Sequence, residues 1–172
     1  MINYNLKAVK AIVFDVDGVL SCATIAMDSE GDPIRTINIK DGYAIQLAVK
    51  MGIKLAIMTG GHNENIRRRY QYLGVEDVFL KCSQKTETWH KYLAENHLQP
   101  KEVVYMGDDI PDLQVMKLAG CPCCPKDAAS EIKAVAKYVS DYTGGNGCAR
   151  DIIEQVLRAK GLWLSDDKAF GW

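Results

Sequence analysis

No stretch of this chain offers the roughly 18 consecutive apolar residues that a membrane-spanning helix needs. Its first residues, Met1-Ile2-Asn3-Tyr4-Asn5-Leu6-Lys7, also lack the apolar run of a secretory signal. The expectation is a cytoplasmic protein with no membrane partner. Net charge is nearly absent too, at −1, which removes the electrostatic footprint that nucleic acid or an anionic surface requires. A second cysteine pair is missing as well. Cys121-Pro122-Cys123-Cys124 contains one C-x-x-C, while Cys22, Cys82 and Cys148 stand alone, so no zinc set exists at ligand spacing. That pair follows an apolar helix end instead of opening a helix, which points to inert core thiols in a reducing compartment.

What is present reads as one globular domain: 172 residues, 48% hydrophobic and 25% charged. A chain of this size buries roughly two thirds of its unfolded surface. It is organised around Ala11-Ile12-Val13-Phe14-Asp15-Val16-Asp17-Gly18-Val19-Leu20. The apolar, β-branched start predicts a buried strand, and it ends in two carboxylates one residue apart. In extended backbone Asp15 and Asp17 face the same side, until Gly18 lets the chain turn. Repulsion between such carboxylates is relieved by a divalent cation or by a retained proton. Both remedies suit phosphoryl transfer, with one Asp as nucleophile and its neighbour as acid. Taken alone, the stretch could equally be a strand end followed by an Asp-Gly turn.

The rest of the chain repeats a grammar of strand, small polar turn and helix. Residues 21–40 predict a hairpin about Gly31-Asp32-Pro33, with partial alternation through Ile37 and Ile39. An isolated hairpin is marginal, so it is expected to pack on something, a further subunit included. Asp41 is a plausible N-cap for a helix running to Met51, stopped by Gly52. Strands are predicted at 53–58, 78–80 and 103–106 and a weak one at 138–139, with helices at about 63–73, 85–96, 111–120 and 149–160. Alternating strands and helices predict an α/β, Rossmann-like parallel sheet covered on both faces. Ligands bind such sheets at the strands' carboxyl ends. Asp15, Asp17, Thr59, Lys85, Asp108, Asp109 and Asp112 all fall at or just after such ends.

On these residues the chain resembles the haloacid dehalogenase-type phosphatase superfamily. Asp15-Val16-Asp17-Gly18, then Thr59, then Lys85, then Gly107-Asp108-Asp109-Ile110-Pro111-Asp112 match its four motifs in order. The resemblance implies that Asp15 attacks phosphorus and that Asp17 protonates the leaving alkoxide and later activates water. It implies Mg2+ held by Asp15, the backbone carbonyl of Asp17 and Asp108. Thr59 and Gly60 would bind phosphoryl oxygens, and Lys85 would offset charge. Asp109 and Asp112 would orient Lys85 and metal-bound water.

Residues 18–58 are used up by hairpin, helix and strand, and residues 60–107 are likewise accounted for, so no separate cap domain fits. Residues 1–172 are expected to be a single domain with the hairpin as an insertion and a tail from about 161. This capless form narrows the resemblance to phosphatases acting on 3-deoxy-D-manno-octulosonate 8-phosphate and their relatives acting on sialic-acid-type 9-phosphates. Such enzymes resemble homotetramers whose active sites are completed by neighbouring subunits. The implied substrate contacts are Gly60, Gly61, Asp41, Asp112 and Arg69, the last reaching an adjacent subunit's substrate. Trp163, Phe170 and Trp172 in the tail fit a subunit contact or docking on their own domain. Two positions depart from the family: Gly61 and Asn146 stand where arginines are common. The expectation is the eight-carbon substrate, with the nine-carbon one as alternative. A phospho-Asp receiver or a non-catalytic scaffold is the alternative of another class.

Overall fold

The structure, a computed structural model, describes residues 1–171. Strand β1 (Ala11–Phe14) is wholly buried and divides its side chains between two cores, Ile12 and Phe14 on one face and Ala11 and Val13 on the other. A strand sandwiched between helix layers has to be apolar on both sides. The other elements follow as β2 (Ala26–Met27), β3 (Pro33–Ile34), α1 (Ile39–Lys50), β4 (Lys54–Met58), α2 (Glu64–Tyr72), β5 (Asp77–Phe79), α3 (Lys85–Glu95), β6 (Val103–Met106), α4 (Leu113–Leu118), β7 (Cys121–Cys124), α5 (Ser130–Val135), β8 (Tyr138–Val139) and α6 (Cys148–Ala159).

Six strands form one parallel sheet in the order β5-β4-β1-β6-β7-β8. From β1 the chain steps outward through β4 and β5, then returns to β1's other side and steps outward through β6, β7 and β8. The winding reverses between β1 and β6, whose carboxyl ends therefore part into a crevice. Residues of α1, α2 and α6 fill one core, and residues of α3, α4 and α5 fill the other.

Several expectations are corrected here. The helix at 39–50 is capped by Asn38, whose side chain accepts from the amides of Lys40 and Asp41. Asp41 instead turns inward. Its Oδ1 accepts the Arg150 amide at 2.8 Å, tying α1 to the first turn of α6. The hairpin pairs only Ala26–Ile34 and Met27–Pro33; Ile37 lies beyond its strands and Ile39 already opens α1. Pro111 belongs to a 3-10 turn at Ile110–Asp112 that precedes α4.

The segment 121–124 is a sheet strand, and α5 is an additional helix. Pro122 is tolerated in β7 because its carbonyl faces β8 and accepts the Lys137 amide at 2.8 Å. The donor it lacks lies on that same side, at the level where β8 has not yet begun. All six cysteines are free, and all but Cys22 are buried. The tail folds back on its own domain: Trp163 meets Tyr43 edge to face at 6.3 Å, and Ala169 is buried. Phe170 stays 76% exposed, and Trp172 lies outside the described residues.

Candidate active site

At the crevice, the Asp15 amide donates to the Met106 carbonyl at 3.0 Å, holding the ends of β1 and β6 in step. Just beyond, the amides of Val19, Leu20 and Ser21 all reach the Val16 carbonyl, and this tight turn leaves Asp17 at the mouth. Gly18 has φ +78°, and a Cβ there would stand 1.9 Å from Asp108 Oδ2. Only glycine lets the turn come this close to β6. The resulting cleft has a volume of about 370 Å³, and its walls include Asp15, Asp17, Thr59, Lys85, Asp108 and Asp112.

Lys85, at the first position of α3, sits 2.7 Å from Asp15 Oδ2 and 2.7 Å from Asp112 Oδ1. Tyr105, whose ring is buried in β6, donates its hydroxyl to the same Asp112 oxygen at 2.6 Å. The other Asp112 oxygen accepts the Asp108 amide at 3.2 Å. Asp112 is therefore a brace that fixes Lys85 and the Asp108 backbone together. Tyr105 was not singled out from sequence; its only signal there is a polar tip in an otherwise apolar strand.

One ammonium does not balance three carboxylates. Oxygens of Asp15, Asp108 and Asp112 all lie within 4.8 Å of one another. Burial first, then the charge of Asp112, pushes Asp15 up to about 8 despite the pull of Lys85. Burial, Asp112 and Asp109 push Asp108 up to about 7. Excess negative charge in a half-buried pocket is what a hard divalent cation relieves. The donor set is all oxygen, and the residues fit such an ion. Asp15 and Asp108, the two residues expected to ligate through their carboxylates, both lie in this cluster, with Asp112 as its third member.

Asp17 turns toward Arg35, which leaves β3 and forks onto both its oxygens, Nε to Oδ1 at 2.7 Å and Nη2 to Oδ2 at 2.8 Å. Arg35 carries no sequence signal, because the pairing arises only when the hairpin folds over the cleft. Thr59 is buried, and its Oγ1 accepts the Gly61 amide at 3.0 Å, which shapes the Thr59-Gly60-Gly61 loop along the cleft wall.

The other candidate residues lie at the cleft rim or outside the cleft of their own chain. Asp109 is exposed at the cleft rim, so the Lys85 ammonium is oriented by Asp15 and Asp112 instead. Asp41 is buried between α1 and α6, away from the cleft. Arg69 lines a separate groove between the hairpin and α2. Of its neighbours in the arginine run, Arg67 donates to the Val78 carbonyl and Arg68 is exposed. His62 lies 3.5 Å from Asp32 of the hairpin turn. Asn146 ties its own glycine-rich turn together through Thr143 and the Gly144 carbonyl.

The chain is similar to known proteins over most of its length. The profile of the haloacid dehalogenase-like hydrolase family matches residues 43–125. The chain is 32% identical over 152 residues to the 3-deoxy-D-manno-octulosonate 8-phosphate phosphatase of Yersinia pestis, covering 88% of this chain and 81% of that one. It is similarly 32% identical over 153 residues to the enzyme of Escherichia coli K12, covering 89% of this chain and 81% of the other. Among solved structures, the Moraxella catarrhalis phosphatase in complex with magnesium, phosphate and the free sugar acid superposes with a TM-score of 0.87 at 30% identity, covering 91% of this chain and 90% of that one. The cobalt-bound Haemophilus influenzae phosphatase gives 0.89 at 26% identity, covering 96% and 98%.

Proposed function

This chain belongs to the haloacid dehalogenase-like hydrolases, and from that membership we propose that it removes the phosphate of 3-deoxy-D-manno-octulosonate 8-phosphate, releasing the free sugar acid. The observation that carries the reading is the joined geometry of Asp15, Lys85, Asp112 and Asp108 at the reversal of the sheet, with Asp17 at its mouth. A receiver domain needs no second carboxylate two residues after its phosphorylated one.

The chemistry is assigned to the chain's own groups. The Asp15 carboxylate attacks phosphorus along the axis of the leaving oxygen, and the sugar's alkoxide takes a proton from Asp17. Water, deprotonated by the same Asp17, then cleaves the acyl phosphate, returning Asp15 and releasing inorganic phosphate. Thr59 keeps its hydroxyl proton for a phosphoryl oxygen, since its Oγ1 accepts from Gly61. Lys85 fixes the Asp15 carboxylate in place and supplies positive charge beside it. Mg2+, held by Asp15, Asp108 and the Asp17 carbonyl, supplies when bound the charge that lets a carboxylate approach a phosphate dianion.

The chain acts as one capless domain, and we propose that it works as a homotetramer. Support comes from the hairpin, where Met27 is 71% exposed, Ile34 53% and Ile37 54%, followed by Ile39 at 66%. That apolar surface fits a second copy of the chain better than water. The substrate reading is tested by phosphate release from the eight-carbon and nine-carbon sugar acid phosphates, with magnesium or chelator. Higher kcat/KM for the eight-carbon compound is expected. Preference for the nine-carbon one overturns the substrate, and silence toward every phosphomonoester overturns the enzyme.

A further inference from the structure

Arg35 forks onto Asp17 with a side chain only 14% exposed, while the Asp17 side chain is 42% exposed. Two parallel charge-assisted bonds make this a strong and directional pair. The guanidinium also runs beside the phosphate-binding loop, for a Cβ on Gly61 would stand 2.9 Å from Arg35 Nη2. Glycine at 61 thus leaves the space that the arginine head occupies. Arg35 further lines the groove of about 230 Å³ between hairpin and α2, with Ile34, Asn63, Ile66 and Arg69 among its other walls. Through its bond to Asp17, Arg35 joins that groove to the catalytic cleft.

Charge decides what the arginine is for. The cleft walls carry five carboxylates, Asp15, Asp17, Asp108, Asp109 and Asp112, and one cation, Lys85. Lys85 is already shared by Asp15 and Asp112. A phosphorylated sugar acid brings a second anion, its carboxylate, attached to the leaving group. That carboxylate has to approach a cleft whose rim already carries Asp17 and Asp109, and a cation at the rim lowers the cost of that approach. Arg35 supplies one. Yet the fork takes a lone pair on each Asp17 oxygen and fixes that carboxyl's orientation on the guanidinium.

Resting on the sugar-acid reading above, we infer that Arg35 is the recognition cation for the substrate's carboxylate, parked on Asp17 before the substrate arrives and handed over on binding. Recognition of the acid and release of Asp17 are then one event. A phosphomonoester without a carboxylate gains neither.

The test compares kcat/KM for the eight-carbon sugar acid phosphate with that for p-nitrophenyl phosphate, whose leaving group has no carboxylate and departs without a proton. Arg35→Ala is expected to lower the ratio of the two at least tenfold, chiefly by raising KM for the sugar acid phosphate. Arg35→Lys keeps the charge without the fork and is expected to fall between alanine and wild type. If the alanine variant does not fold, the lysine variant decides, with a threefold or larger fall in ratio as support. A ratio unchanged within twofold in either folded variant overturns the inference. Wild-type protein that hydrolyses p-nitrophenyl phosphate but not the sugar acid phosphate overturns the functional reading itself and the inference with it.

Discussion

Lys85 is 4% exposed and faces Asp15 and Asp112 at 2.7 Å each, so the cluster of Asp15, Asp108 and Asp112 has a single ammonium for three carboxylates. Removing that ammonium strands buried charge. Lys85→Met is expected to cost the metal-free protein about 3–5 kcal/mol, read from urea denaturation. Asp112→Asn takes one negative charge out of the crowd and keeps an acceptor for Tyr105, so it is expected to cost less; equal costs contradict the account. The same crowding sets the pH response. Asp15 and Asp108 are raised to about 8 and about 7, above the unfolded value near 3.9. The folded chain therefore keeps protons that the unfolded chain gives up, and its metal-free stability falls as pH climbs from about 4 to about 8. In chelator, the melting midpoint is expected to be lower at pH 8 than at pH 6, with magnesium restoring more at pH 8. A midpoint that rises over that interval in chelator contradicts it.

At the scale of elements, Asp41 shows how a motif residue can be structural. Asp41→Ala removes the acceptor of the Arg150 amide at the start of α6 and is expected to cost about 1–2 kcal/mol. Its KM is expected to stay within twofold of wild type, and a tenfold rise would restore Asp41 to the substrate. The strands β1, β4 and β6 were legible because continuous apolar, β-branched runs have few other uses, and their ends gave Asp15, Thr59 and Asp108. Strand β7 was not legible. A proline among cysteines argues locally against a strand, and only the late start of β8 makes it harmless. Helix α5, six residues at Ser130–Val135, is too short to show a clear period. The cap of α1 was misplaced by three residues because Asn38 lies inside a β-prone run. Arg35 was beyond sequence reasoning altogether, since nothing local tells which carboxylate a hairpin arginine will meet.

At the scale of the whole molecule, the fold brings four separated segments to one crevice but leaves an apolar hairpin in the open. If that hairpin joins four copies, Met27→Asp with Ile34→Asp is expected to shift the mass in light scattering from four chains toward one. A single-chain mass for the unaltered protein rejects the tetramer and leaves the chemistry untouched. The proposed chemistry makes Asp15 its nucleophile. Its most direct test is phosphate release from 3-deoxy-D-manno-octulosonate 8-phosphate by the wild-type chain and by Asp15→Asn, each with magnesium and with chelator. Magnesium-dependent turnover by wild type, reduced at least about a thousandfold in the folded variant, is the expected result. Turnover that survives in Asp15→Asn, or that ignores magnesium, contradicts the account.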